Sequence, residues 1–204
     1  DRAEAMFLKL LKTKSYQTKC LSFLLQIYQS TKDWQQGIDL HKTILKSNDK
    51  RLLHCLANFY CELATQAKEK NKYIEVVELL ESALKCDPKS SRANWLLAEI
   101  YEEHQQYNEA CLCYQAIYHQ DKEFFPDVID RMQHCYQQQD ASDEFYLFIK
   151  KVFDESGSAS ALIKYLSYLE QTKGIKVAQD FLLMALKRRP TIRGFQYFVK
   201  MQMS

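Results

Sequence analysis

The side chains that could do chemistry in this chain are seven cysteines, five histidines and one tight group of carboxylates. The cysteines stand at 20, 55, 61, 86, 111, 113 and 135, and none forms a C-x-x-C pair. Cys111 and Cys113 point to different sides of a helix, because helical neighbours are three and four residues apart. An odd number without ordered spacing reads as small apolar filler in a reducing, cytoplasmic setting, with a metal site or redox pair as the alternative. The histidines at 41, 54, 104, 119 and 134 make no nucleophile set with Cys and Asp, and they read as solvated or helix-flanking. Glu99, Glu102 and Glu103 share one predicted helix. Paired carboxylates can serve acid–base catalysis, but a solvated or partner-facing stripe is the simpler reading. Four glycines leave no room for a Gly-rich phosphate loop. The expectation is a non-enzyme, with no catalytic, cofactor-binding or metal-ligating residues in this chain.

Bulk composition agrees. At 47% hydrophobic the chain is not disordered, and few glycines and prolines favour long helices. A net charge of +2, with acids and bases mixed, gives no footprint for nucleic acid and no polybasic membrane patch. No apolar run approaches the roughly 18 residues of a membrane span. The opening DRAEAMF reads as charged helix, not signal peptide.

The elements that must position these side chains follow a repeat. Pro88 and Pro190 lie 102 residues apart, three periods of 34. That is the period of the tetratricopeptide helix–turn–helix unit. With proline at place 32, units run 57–90 and 91–124. Small residues (Ala64, Ala98, Ala110) let paired helices approach, and large ones (Leu97, Tyr101, Tyr107, Tyr114, Ile117) fill the space around them. Further units fit at 18–51, with Gly37 at a small-residue place, and at 159–192, with about five extra residues at 52–56. Asp33 and Gln36 are placed for a capping box. Residues 125–158 are degenerate and fit best with a slip of one. The stretch SGSAS at 156–160 reads as a soft joint. Residues 1–17 read as the second helix of a truncated unit and 193–204 as the start of another, so the expectation is a fragment of a longer array. The fold class is all-α: a tetratricopeptide solenoid, or α-α superhelix, of antiparallel helix pairs.

In such an array the first helices expose one stripe each, at places 2, 5, 9, 12 and 13. Read off, this predicted groove holds Lys19, Ser22, Gln26 and Gln29, then Asn58, Cys61, Thr65 and Lys68. It continues with Arg92, Trp95, Glu99 and Glu102, then Asp130, His134 and Gln137, and ends with Ser160, Ile163, Ser167 and Glu170. It is polar and acidic toward its middle, with one large aromatic. Trp95 sits one place from the usual aromatic site, held by Asn94, so it lies either in the groove or, after a small helix rotation, in the core. Ser22 and Gln26, Cys61 and Thr65, and Trp95 and Glu99 supply no Lys/Asn clamp for a terminal carboxylate.

Four stretches are more specific than the repeat: LLQIYQSTKDWQQGIDL at 24–40, FYCELA at 59–64, CYQQ at 135–138 and RRPTIRGF at 188–195. With their spacing they resemble the lipopolysaccharide assembly protein B family of Gram-negative bacteria over nearly the whole chain. The resemblance implies an inner-membrane adaptor with its repeat array on the cytoplasmic face. It implies partners that are proteins: a membrane AAA metalloprotease, the deacetylase that commits precursors to lipid A, and an inner-membrane regulator. The family's membrane helix is absent here, as is its rubredoxin-like four-cysteine domain with iron or zinc, so no cofactor is expected in this stretch. The competing readings are a generic peptide-gripping scaffold in envelope assembly or secretion, and the repeat region of a glycosyltransferase.

Overall fold

The computed structural model describes residues 2–11 and 13–203. Among the described residues there are thirteen α-helices, one 3-10 turn and no strand. The first eight helices are α1 (Arg2–Leu10), α2 (Gln17–Thr31), α3 (Trp34–Asp39), α4 (His41–Ser47), α5 (Lys50–Glu69), α6 (Tyr73–Cys86), α7 (Ser91–Glu103) and α8 (Tyr107–Gln120). The remaining five are α9 (Phe125–Gln137), α10 (Ser142–Ser156), α11 (Ala159–Lys173), α12 (Ile175–Arg188) and α13 (Ile192–Met203). They gather into two compact units, 1–121 and 122–204. The fold class is all-α, built of tetratricopeptide-type helix pairs.

Each pair turns through one residue in the left-handed region: Lys32 (φ 60°), Asn71 (φ 55°), Gln105 (φ 59°), Asp140 (φ 54°) and Gly174 (φ 89°). At the first four, the next amide reaches back five residues to a helix carbonyl. The bonds are Asp33 to Tyr28 (2.9 Å), Lys72 to Ala67 (3.1 Å), Gln106 to Tyr101 (2.8 Å) and Ala141 to Tyr136 (3.0 Å). This is a Schellman closure, which satisfies carbonyls the helix end would orphan. It offsets the roughly 1–2 kcal/mol that a left-handed residue other than glycine costs. The turn residues are separated by 39, 34, 35 and 34 positions. The long first interval is taken up by α5, which at 20 residues includes 52–56 as part of its opening turns.

Side-chain caps begin several helices, α5, α7 and α11 among them. Asp49 accepts from the Arg51 amide at 2.8 Å, Ser90 from Ala93 at 3.2 Å and Ser158 from Ala161 at 3.4 Å. The capping box expected at Asp33 does not form: its side chain makes no cap bond to α3. Its backbone is committed to the preceding Schellman closure, leaving φ −86° and ψ 62°. The stretch read as a soft joint is a short turn with Gly157 closing α10 through Phe153 O (2.8 Å) and Ser158 capping α11.

In unit 1, Ala64, Ala83, Ala98 and Ala110 are buried where helices pair, with Leu80, Leu97, Tyr114 and Ile117 around them. Tyr101 and Tyr107, expected in the core, are half-buried instead. In unit 2 the slipped register puts Met132, Tyr136, Phe145, Ile149 and Val152 inside. The helix following α2 is interrupted at Leu40, and its first half packs on α5 through Gly37. A Cβ on Gly37 would stand 2.1 and 2.2 Å from Cδ2 and Cε2 of the buried Phe59 ring. Gly37→Ala is therefore expected to destabilise the protein by about 1–3 kcal/mol, the range for overpacking a core. Urea unfolding of the variant checks this, and an unchanged midpoint would show that Phe59 does not set the approach of α3.

Candidate functional site

In unit 1, α5 packs against both α2 and α7, so first helices of successive pairs lie side by side. Between them opens a cavity of about 340 Å³ bordered by Gln29, Trp34, Asn58, Phe59, Glu62 and Arg92. Trp34 meets Phe59 edge-on at 5.1 Å and forms an aromatic wall. Gln29, Asn58 and Arg92 were predicted on this face and are brought together here. Trp34 and Glu62 were not predicted.

Charge on the face is paired across neighbouring helices. Arg92 Nη2 lies 2.7 Å from Glu62 Oε1. Lys68 Nζ lies 2.7 Å from Glu103 and 3.9 Å from Glu99. The Tyr114 hydroxyl donates to Glu102 at 2.7 Å. The stripe read as acidic is thus a set of engaged carboxylates, unsuited to acid–base work. A spacing signal exists for these pairs: Glu62 to Arg92 spans 30 positions and Gln133 to Lys164 spans 31, slightly less than one repeat.

Cys61, predicted in the groove, is fully buried. α5 is enclosed by five other helices, and a small side chain at this place is absorbed by their packing. Its neighbour Thr65 spends its hydroxyl on Cys61 O at 2.9 Å. Lys19 and Gln26 are exposed on α2, and Ser22 is half-buried.

Asn94 answers the question of Trp95. It is 5% exposed, and its Nδ2 donates to Ser90 O (3.3 Å) and Gln120 Oε1 (3.1 Å). Gln120 Nε2 in turn donates to Pro88 O at 2.9 Å. This relay satisfies a buried amide where the repeat usually holds an aromatic ring. With Asn94 inward, α7 is not rotated to bury Trp95, which stays half-buried with an edge contact to Tyr114 at 6.1 Å.

In unit 2, Asp130 on α9 and Lys164 on α11 pair at 2.5 Å, and Lys164 also donates to Gln133 Oε1 at 2.9 Å. His134 and Gln137 are exposed on α9. Each unit therefore presents a polar first-helix face.

All seven cysteines are free thiols. Burial pushes Cys61 and Cys86 up to about 11 and Cys113 up to about 12, well away from thiolate reactivity. Cys86 Sγ is 4.0 Å from His41 Nδ1, but that nitrogen already meets the Tyr60 hydroxyl at 2.8 Å. Among the described residues no three or more His, Cys, Asp or Glu side chains are grouped to hold a metal, and no helix is long and apolar enough to cross a membrane.

Comparison with known proteins finds relatives along nearly the whole chain. Lipopolysaccharide assembly protein B of Escherichia coli K12 is 31% identical over 196 residues, 96% of this chain and 50% of that protein. Its counterpart in Haemophilus influenzae is 26% identical over 202 residues, 99% of this chain and 51% of that protein. Over nearly its whole length the chain is similar to lipopolysaccharide assembly protein B. The chain spans about half the length of these relatives. No family model matches it. Similar solved structures include the MamA protein, 16% identical with a TM-score of 0.44, covering 74% of this chain and 79% of that one. A tetratricopeptide protein of Thermus thermophilus is 15% identical with a TM-score of 0.38, covering 81% of this chain and 88% of that one. These distant likenesses carry no functional weight. The chain is an all-α repeat of helix pairs, similar over nearly its whole length to lipopolysaccharide assembly protein B.

Two outcomes are expected. Trp95→Ala should lower stability by about 1–2 kcal/mol, against about 2–5 for Leu97→Ala in the core. Equal losses by thermal unfolding would put Trp95 in the core. With a disulfide exchange reagent at pH 7.5, the native protein should react sooner at the half-buried Cys55, whose thiol burial also pushes up, than at the six buried cysteines. Fast reaction at Cys61 or Cys113 would contradict their burial.

Proposed function

We propose that this chain is the interaction array of an adaptor that controls lipopolysaccharide synthesis through protein turnover. The observation that carries the reading is the likeness to lipopolysaccharide assembly protein B over 96% of the chain. On this reading the array works at the cytoplasmic face of the inner membrane. It presents the deacetylase of lipid A synthesis to a membrane AAA metalloprotease, and an inner-membrane regulator acts on the adaptor in turn. The chemistry belongs to the bound proteins, and the array needs no cofactor of its own.

The first-helix faces suit that role. Asn58 and Gln29 offer amides that can bond a peptide backbone, Trp34 and Trp95 offer aromatic surface, and the ion pairs leave little net charge to desolvate. A pull-down with the full-length protein tests the proposal. Co-purification of the deacetylase and the protease is expected, with recovery of at least one reduced about tenfold by Trp95→Ala combined with Asn58→Ala, a loss of the size one binding hot spot gives. Recovery of neither partner from the native protein would sink it.

A further inference from the structure

The stretch RRPTIRGF at 188–195 is more specific than helix pairing demands, and the fold accounts for only part of it. Pro190 stands just beyond α12. Thr191 Oγ1 accepts from the Gly194 amide at 3.1 Å, opening α13. Gly194 is buried, and a Cβ there would lie 2.8 Å from Leu186 Cδ2, so glycine admits α13 this close to α12. Arg189 lies over the turn that closes α10, where a Cβ on Gly157 would stand 2.9 Å from its Nη1, but its guanidinium still borders a cavity together with Arg188.

Arg188 and Arg189 border a cavity of about 40 Å³ between α10 and α12. Its walls are Phe153, Phe181, Met184 and Ala185. The two rings meet edge-on at 6.2 Å, and Met184 is 55% exposed at the mouth. The space exceeds the ~10–15 Å³ one water needs and suits the tip of one aliphatic side chain. Asp154 also borders it, but Lys150 Nζ holds that carboxylate at 2.7 Å. Among the described residues no acidic side chain pairs with Arg188, Arg189 or Arg193. No Asp or Glu occurs after Asp180, while Lys187, Arg188, Arg189, Arg193 and Lys200 do. Lys187 and Arg188, in the last turn of α12, also suit its helix dipole. That preference does not call for an apolar cavity beside them, nor for Arg189 beyond the helix.

We propose that this pocket is a second docking site, for an acidic segment of a partner protein. One aliphatic side chain of that segment enters between Phe153 and Phe181, and flanking carboxylates meet the guanidinium groups of Arg188 and Arg189. Guanidinium forks bind carboxylates in paired bonds, and desolvated aromatic pockets beside arginines are where interface energy concentrates. A walled slot favours a side chain over a lipid headgroup, which would be met by cations spread over an open surface. The site uses the second helices of unit 2, so it stands whatever the first-helix faces hold.

The probe is a fluorescein-labelled octapeptide of glutamate and serine with one central leucine, titrated by anisotropy against the chain. Saturable binding is expected. Its Kd should rise tenfold or more for Arg188→Ala with Arg189→Ala, for Met184→Glu, and for peptides with glutamine in place of glutamate or serine in place of leucine. Met184 is exposed, so its variant keeps the test valid if removing both arginines lowers the melting temperature. Absence of binding, equal binding by both variants, or equal binding of the glutamine peptide would each overturn the proposal. Capture of the chain by phosphatidylglycerol vesicles through these arginines, with no peptide bound, would overturn it in favour of a membrane.

Discussion

Close approach of paired helices is the constraint on which the remaining structure depends. Ala64, Ala83, Ala98 and Ala110 are buried at these contacts because a larger side chain would hold the helices apart. Gly37 carries the same constraint to its limit, with the Phe59 ring occupying the space a Cβ would need. Once the pairs close, each chain reversal has little room. Within four of the pairs it is made by a single left-handed residue and a backbone bond reaching back five positions. The turn needs a conformation more than a residue type, which is why Lys32, Asn71, Gln105 and Asp140 all serve.

Pairing also decides what is presented. When α5 lies beside α2 and α7, side chains about 30 positions apart face each other across the gap. Charges there neutralise one another, as Arg92 does with Glu62 and Lys68 with Glu103. The face left over is polar, weakly charged and interrupted by aromatic surface, a composition that suits recognition of another polypeptide. On the second helices of unit 2 the balance differs. Among the described residues no carboxylate pairs with Arg188 or Arg189, and Phe153 and Phe181 leave a slot between them.

Much of this was legible in the order of residues. The period of 34, the alanines, the break at Pro88 and the slip within 125–158 all follow from spacing, because a helix converts spacing directly into facing. The groove residues were found less surely. Arg92 and Asn58 do share a cavity, but Cys61 is buried, because enclosure on several sides depends on neighbours that no single helix encodes. Asp33 has the residue type and spacing of a cap, yet its backbone is committed to the preceding turn.

The sequence by itself determined the fold class, the helix pairs and the kinship with lipopolysaccharide assembly B proteins. Those are properties of periodicity and of shared residue order, and both survive without coordinates. Only the tertiary structure decided which way α7 faces. The choice between Asn94 and Trp95 turned on whether a buried amide could find partners, and these came from Gln120, 26 positions later. Only the tertiary structure, too, separated the arginines of RRPTIRGF from the residues the fold needs. Satisfaction of a buried polar group and the walls of a pocket are relations between distant segments, and linear spacing does not record them.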